Sequence, residues 1–547
     1  MTPVGQHLPR FRRSTARLPV AVLGVLLLAL MFTPARDPVT HDLTIGWRPS
    51  AELSFLLFFV AVIGAARPQI IAAPSAARIL AMLVAALALL NLVDAATPIV
   101  LGRDLNLYWD LPHLPSLFGL AGDAVGFWRM AGAIGVLSGA IVLLIAGITR
   151  IWREVLPVLA DRRVALGFAV LLGAALDVTA LMPAENRPLA TGLGLDIVRQ
   201  SAALIRGPIA MTGSGGPCAA ALATPSPPRS DLAGLKRRDV YLIYLESYGT
   251  TVFDTPEFRA GLGEALRQFE TSLRGAGYTI ASNRLVSPTY GGGSWLAHAT
   301  VASGIRLADP VCHELLLDSG RKLLPAYFKD AGWRAIDIMP GIKTPSPKAQ
   351  AWGFDREIFA RELDYRGPSF GWFRIPDQFT LHRAVTIRLA LGPAPPVFTQ
   401  VVLVSSHIPF APVPPYLADW DDSGTFDSVP GAYMEEVWRQ PDFSRLAPEY
   451  LNSLRYDFAV LGGWLTTQMT GEGLVILLGD HQPPTIDGGH PQPPWTVPIH
   501  VLSRDPELVA PVLAEGYVSG LFPTQAPPHP GMETFLARFL AAFDRHG

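Results

Sequence analysis

Two cysteines in 547 residues, Cys218 and Cys312, are too few for a thiolate zinc cluster. They leave two readings open, an exported disulfide or two unrelated free thiols, because spacing alone does not bring them together. Charge is scarce as well. Charged residues make up 16% of the chain, against a usual share of about 25%, and the net charge is −2. No basic block or aromatic-basic array occurs downstream of the first third, so no nucleic-acid partner is expected.

What the chain has in excess is apolar surface. Half of its residues are hydrophobic, and the surplus sits in the first third. Five segments, near 18–35, 52–67, 76–96, 127–148 and 163–183, approach the roughly 20 apolar residues that span a bilayer. Residues 1–185 are therefore expected to form an all-α, five-helix transmembrane domain. The first segment follows Arg10, Arg12, Arg13 and Arg17 but lacks a clear small-residue cleavage site, which favours a retained anchor. By the positive-inside rule, the loop with Arg67 and Arg78 and the loop with Arg150, Arg153, Arg162 and Arg163 are cytoplasmic. Everything after about residue 184 then lies outside. Leu105 to Phe127 mixes Tyr, Trp and Leu with Asp and Pro, and reads either as a lipid-interface segment or as a plain outer loop. Residues 186–238 read as a linker, with a Gly-, Ala-, Pro- and Ser-rich stretch from Met211 to Ser230.

From Asp239 onward, strand-like runs alternate with helical patterns, as in an α/β sandwich with a mostly parallel sheet flanked by helices. Three apolar runs stand out. Val240 to Leu245 ends at Glu246, Val401 to Val404 ends at Ser405-Ser406-His407, and Leu474 to Leu478 ends at Gly479-Asp480-His481. Such runs read as strands buried on both faces, and open α/β sheets bind ligands just beyond their carboxyl ends. Further strands are expected at Ala335 to Met339 and Val497 to Leu502, and helices at Phe258 to Gly275 and Asn452 to Thr470.

Ser287-Pro-Thr-Tyr-Gly-Gly-Gly-Ser294 opens another helical pattern. A glycine-presented serine there is either a nucleophile at an anion-binding helix start or an ordinary N-cap. Each strand-end residue also has a bland reading as a solvated loop residue. Taken together, Glu246, Asp480 and His481 with the Ser294 hydroxyl form a coherent ligand set for one divalent cation, which would lower the hydroxyl pKa and stabilise phosphoryl or sulfuryl oxygens.

The order of these residues resembles the alkaline phosphatase/sulfatase superfamily, in particular the branch of lipoteichoic acid synthases and related membrane phosphoglycerol transferases. The likeness covers about residues 239–540. DVYLIYLES from Asp239, Gly291 to Ser294, Ala331-Gly-Trp followed by Trp352-Gly-Phe-Asp355, Ser405-Ser-His-Ile-Pro-Phe410, YLNSLRYD from Tyr450, and Gly479-Asp480-His481 follow the family's order. The resemblance implies Ser294 as nucleophile and metal ligand, with Glu246, Asp480 and His481 as the remaining metal ligands and His407 as a phosphate contact. It implies one divalent ion, Mn2+ or Mg2+ with Zn2+ as a further option. It also implies a membrane lipid donor, a glycan or glycolipid acceptor, and a multi-pass protein of the bacterial cytoplasmic membrane whose catalytic domain, residues 239–547, faces outward.

The chain departs from the pattern in two places. Gln-Pro-Pro follows His481, and no Trp or Arg matches the family's glycerol-phosphate contacts between Lys343 and Gly353. Lys343, Lys348 or Arg374 are the cations available to take that role. The sulfatase signature Cys/Ser-x-Pro-x-Arg is absent around Ser294, which is followed by Trp-Leu-Ala-His298. Thr289 is the alternative hydroxyl, and His490 and His500 are candidates for extra ligands. Three functions follow from this pattern: a phosphoryl-linked head-group transferase using a covalent serine intermediate, a phosphodiesterase, phosphatase or sulfatase-like hydrolase with the same site, or a catalytically inactive membrane assembly protein.

Overall fold

The computed structural model describes residues 10–36, 43–45, 50–101, 126–181, 216–343, 347–370, 375–408, 410–424, 426–427, 429, 447–469, 471–484 and 495–545. Two compact units divide them. In the first, helices Arg10–Leu30, Ala51–Ala66, Ala76–Leu101, Phe127–Leu159 and Arg162–Leu181 fall on the five apolar segments. A short antiparallel pair, β1 (Pro34–Arg36) and β2 (Leu43–Ile45), follows the first helix. The helices share a core of Leu28, Leu57, Val84, Trp152 and Leu159. Their outer faces are equally apolar, with Val136 76% and Leu143 74% exposed, and a helix hydrophobic all round needs an apolar surrounding. Among the described residues two helices are long and apolar enough to cross a membrane, Ala76–Val93 and Phe127–Leu159; Arg17–Leu30 and Ala51–Ala66 are shorter apolar helices.

The second unit is an α/β sandwich. Its eight strands are β3 (Val240–Leu245), β4 (Thr279–Val286), β5 (Arg334–Met339), β6 (Arg356–Phe359), β7 (Val397–Leu403), β8 (Leu474–Gly479), β9 (Thr496–Ser503) and β10 (Val518–Ser519), in the order β10-β4-β9-β8-β3-β7-β5-β6. The block β8-β3-β7-β5-β6 is parallel throughout. β9 and β4 extend it by antiparallel pairing, and β10 caps that edge. The sheet is therefore mixed, with a parallel centre. Every residue of β3, β7 and β8 is buried, which explains their unbroken apolar runs.

Helices Pro256–Gly275, Asp377–Ala390 and Ala447–Gly463 cover one face, through a core that takes in Tyr241, Ile243 and Leu245 of β3. On the other face Phe328 stacks on Phe398 of β7 at 4.1 Å, and helix Ser294–Ser303 lays His298 against Tyr244 at 3.9 Å. From 216 the expected linker is structured: Pro217–Ala223 is a short helix, and Cys218 is disulfide-bonded to Cys312. The disulfide reading of the two cysteines therefore holds.

Candidate metal and nucleophile site

The three ligand-ended strands are immediate neighbours, β8-β3-β7. Leu245 pairs with both Gly479 and Leu403, so Glu246, Asp480 and Val404 leave the sheet side by side. Glycine at 479 is required by the close approach of the next turn. A Cβ there would lie 1.9 Å from the Tyr248 carbonyl oxygen. Ser247 takes the left-handed conformation (φ 57), which turns its N–H onto Asp480 Oδ1 at 2.8 Å. Tyr450 holds the same turn by donating its hydroxyl to the Ser247 carbonyl at 2.9 Å.

Ser294 is the first residue of helix Ser294–Ser303, and Gly293 before it has φ 79, which a side chain would strain. The serine hydroxyl reaches Glu246 Oε2 at 3.0 Å and lies 3.2 Å from His481 Nε2. His481 Nε2 is also 3.2 Å from Glu246 Oε1 and 3.8 Å from Asp480 Oδ2. On its other side, the ring meets the Gln482 carbonyl through Nδ1 at 2.8 Å. A carbonyl can only accept, so Nδ1 carries a proton and the Nε2 lone pair of the neutral ring faces the carboxylates. Asp480 Oδ2 is buried without a hydrogen-bond partner among the described residues. Ligand atoms of Glu246, Asp480 and His481 all lie within 4.8 Å of one another. Three inward-facing acceptors with one orphaned oxygen fit a divalent cation.

The electrostatics of the bare cluster agree with that fit. Burial opposes the charge on Glu246, but His481 overrides it and holds the carboxyl well below the usual carboxylate range. Burial and the charge of Glu246 push Asp480 up to about 7. Burial works against a charged His481, yet Asp480 and Glu246 raise it to about 9. Protons thus hold the place that a cation would take. Behind Ser294, burial pushes His298 down to about 3, so it adds no positive charge.

His407 sits half-buried beyond β7, its Nδ1 on the Ile408 carbonyl at 2.6 Å, and its charge contributes to lowering Glu246. Lys343 follows β5 on the same carboxyl edge. Lys348 is spent on ion pairs with Glu314 (2.9 Å) and Asp318 (2.8 Å). Arg374 and His490 lie outside the described residues. Thr289 is buried against Ser287 rather than against the carboxylates. His500 is a core residue, bridging Tyr248 (3.1 Å) and Ser282 (2.7 Å), so both its nitrogens are used.

The sequence reading missed the supports. Asp377, at a helix start after Pro376, accepts the N–H groups of Val404 and Ser405 and so fixes the turn that carries His407. An aspartate opening a helix reads as an ordinary helix-start residue and does not by itself point to a distant turn.

No family model and no curated protein matches the chain. Solved structures do. The chain is similar to the lipoteichoic acid synthase LtaP from Listeria monocytogenes, at 13% identity and TM-score 0.37, over 59% of this chain and 81% of that one. It is similar to the phosphoglycerol transferase GacH of Streptococcus pyogenes, solved with sn-glycerol-1-phosphate, at 12% identity and TM-score 0.35, over 58% and 87%. A third is the periplasmic domain of EcEptC from Escherichia coli, at 17% identity and TM-score 0.31, over 52% and 75%.

Proposed function

We propose that the chain is a membrane-anchored, metal-dependent phosphotransferase of the alkaline phosphatase superfamily, moving a phosphoryl-linked lipid head group to an exported glycan or glycolipid. One observation carries the reading: Ser294 Oγ lies at a helix start within 3.0 Å of Glu246 and 3.2 Å of His481, beside the orphaned oxygen of Asp480.

Glu246, Asp480, His481 and the Ser294 oxygen would hold a divalent ion, Mn2+ or Mg2+ by the hardness of the oxygen donors or Zn2+ by the imidazole; it would supply Lewis-acid stabilisation of phosphoryl charge. Ser294 Oγ attacks phosphorus and releases its hydroxyl proton to water, because Glu246 is held as a weakly basic carboxylate. The bond from phosphorus to the lipid oxygen breaks, and His407 delivers the proton that the departing diacylglycerol needs. The dipole of the Ser294–Ser303 helix favours the anionic group at its start. An acceptor hydroxyl then passes its proton to His407 and displaces Ser294, which regains a proton from water. Lys343 and Arg374 are proposed head-group contacts.

The five apolar helices are the proposed anchor, with residues 239–547 as the outer catalytic domain. An oxidised Cys218–Cys312 pair supports that side of the membrane. Lipid mass spectrometry tests the function. Active protein should consume a phospholipid and release diacylglycerol, with the head group appearing on a second molecule. Ser294→Ala should lower turnover by about 10³-fold or more and still bind Mn2+. Head group appearing only in water would make the protein a hydrolase, and failure to bind any divalent ion would favour an inactive assembly role.

A further inference from the structure

Asp457, on helix Ala447–Gly463, is fully buried, and neither carboxyl oxygen has a hydrogen-bond partner among the described residues. It faces the Ser406 hydroxyl and the carboxyl of Asp377, which is also fully buried. Both neighbours are acceptors. Ser406 has already donated its proton to the Glu246 carbonyl at 2.8 Å. Asp377 accepts Val404 N–H at 2.8 Å on one oxygen and Ser405 N–H at 2.9 Å on the other.

An ionised Asp457 would be an acceptor among acceptors, next to a second buried carboxylate, with no cation among the groups that perturb it. Such a pair is held together by one shared proton. Two amide N–H groups stabilise the charge of Asp377 and none stabilises that of Asp457, so the proton belongs on Asp457. We propose that Asp457 is a neutral carboxylic acid acting as a positioning residue: its O–H bonds to Asp377 and clamps the Val404–His407 turn against the strand that carries Glu246.

Burial and the Asp377 charge push Asp457 well above the usual carboxylate range. Among the described residues, Tyr450 and Tyr456 on the same helix also face the pair, with Tyr365 beyond Tyr456 and Asp480 beyond Tyr450, and His407 lies on the turn that Asp377 holds. The clamp has two outputs. The turn closes on itself through His407 N–H to Val404 O (3.1 Å) and Phe410 N–H to His407 O (2.8 Å), which sets the imidazole. Through Ser406 the same turn holds the backbone of Glu246. The catalytic consequence rests on the role proposed above for His407; the protonation state does not.

The test compares Asp457→Asn, which keeps a donor in the same shape, with Asp457→Leu, which keeps only the volume. Both are made in the full chain, in detergent and loaded with Mn2+. Cleavage of bis(4-nitrophenyl) phosphate is followed together with thermal unfolding and infrared difference spectroscopy. The wild type should show a protonated-carboxyl band that shifts in D2O and is missing from Asp457→Asn. Asp457→Asn should keep kcat within about threefold of wild type, while Asp457→Leu loses about 10- to 100-fold, the range usual for outer-shell partners. A wild-type spectrum without that band, or an Asn variant as damaged as the Leu variant in unfolding and turnover, would overturn the proposal. If the wild type does not cleave the phosphodiester, the functional reading fails, and the band and the unfolding order still decide the protonation of Asp457.

Discussion

Gly479→Ala probes how closely the fold and the site depend on each other. The added Cβ would sit 1.9 Å from the Tyr248 carbonyl oxygen and 2.9 Å from its carbon. An ordinary carbon–oxygen contact is about 3.3 Å, so the end of β8 and the turn after β3 must part by roughly 1.4 Å, the difference between about 3.3 Å and the 1.9 Å clash. The obstacle is backbone, with no flexible side chain to swing away. Asp480 and His481 lie on one side of that seam and Glu246 on the other, with ligand atoms now within 4.8 Å of one another. Overpacking of this kind costs about 1–3 kcal/mol, and a shift of about 1 Å at a reacting centre costs about 10²-fold in rate. Calorimetric Mn2+ titration of the full chain, with thermal unfolding alongside, should give a roughly 10- to 100-fold weaker Mn2+ affinity and a lower melting temperature. Gly275→Ala is the control, because nothing lies within 4 Å of its added Cβ. Wild-type Mn2+ affinity in Gly479→Ala would refute the claim that the two strand ends form one ligand set.

Other consequences are as specific. Reducing Cys218–Cys312, which are 94 residues apart, frees a long loop in the unfolded chain and should cost about 4–5 kcal/mol by the loop-entropy relation; an unchanged unfolding midpoint in reductant would contradict it. Mn2+ binding near pH 7.5 should release protons, because His481 is raised to about 9 and Asp480 to about 7 in the bare cluster. Its affinity therefore rises with pH until both are deprotonated, and titrations in buffers of different ionisation enthalpy would expose a binding event with no proton release. Arg284, 3% exposed, holds Asp254 through two bonds of 2.6 and 2.8 Å. Arg284→Ala should destabilise by about 1.5–3 kcal/mol, and a denaturant midpoint shift equivalent to under about 1 kcal/mol would mean the pair is weakly coupled.

The parallel centre of the sheet was legible because β3, β7 and β8 are buried on both faces, and their polar ends interrupt unbroken apolar runs. The place of Ser294 at a helix start was legible because three glycines mark a backbone that only glycine adopts readily. Of the antiparallel edge, β9 was legible as the expected strand Val497 to Leu502, but β4 and β10 were not. β4 buries Ser282, Asn283 and Arg284, whose partners His500 and Asp254 come from distant segments, so local hydrophobicity understates the strand. Asp377 and Asp457 escaped for a related reason. Each reads as an ordinary aspartate on a helix, and their significance arises only when two helices bring both carboxyls under one turn. The cysteine pairing likewise needed three-dimensional proximity, with 94 residues between the partners.

The central claim is that Ser294 carries the transferred group. The direct measurement is peptide mass spectrometry of Mn2+-loaded full chain, acid-quenched seconds after mixing with phosphatidylglycerol and phosphatidylethanolamine in micelles. The account predicts a phosphoryl-linked head group on the peptide containing Ser294, absent in Ser294→Ala and chased off by an acceptor alcohol. Lipid turnover with an unmodified Ser294 peptide, or the adduct on Thr289 instead, would contradict it.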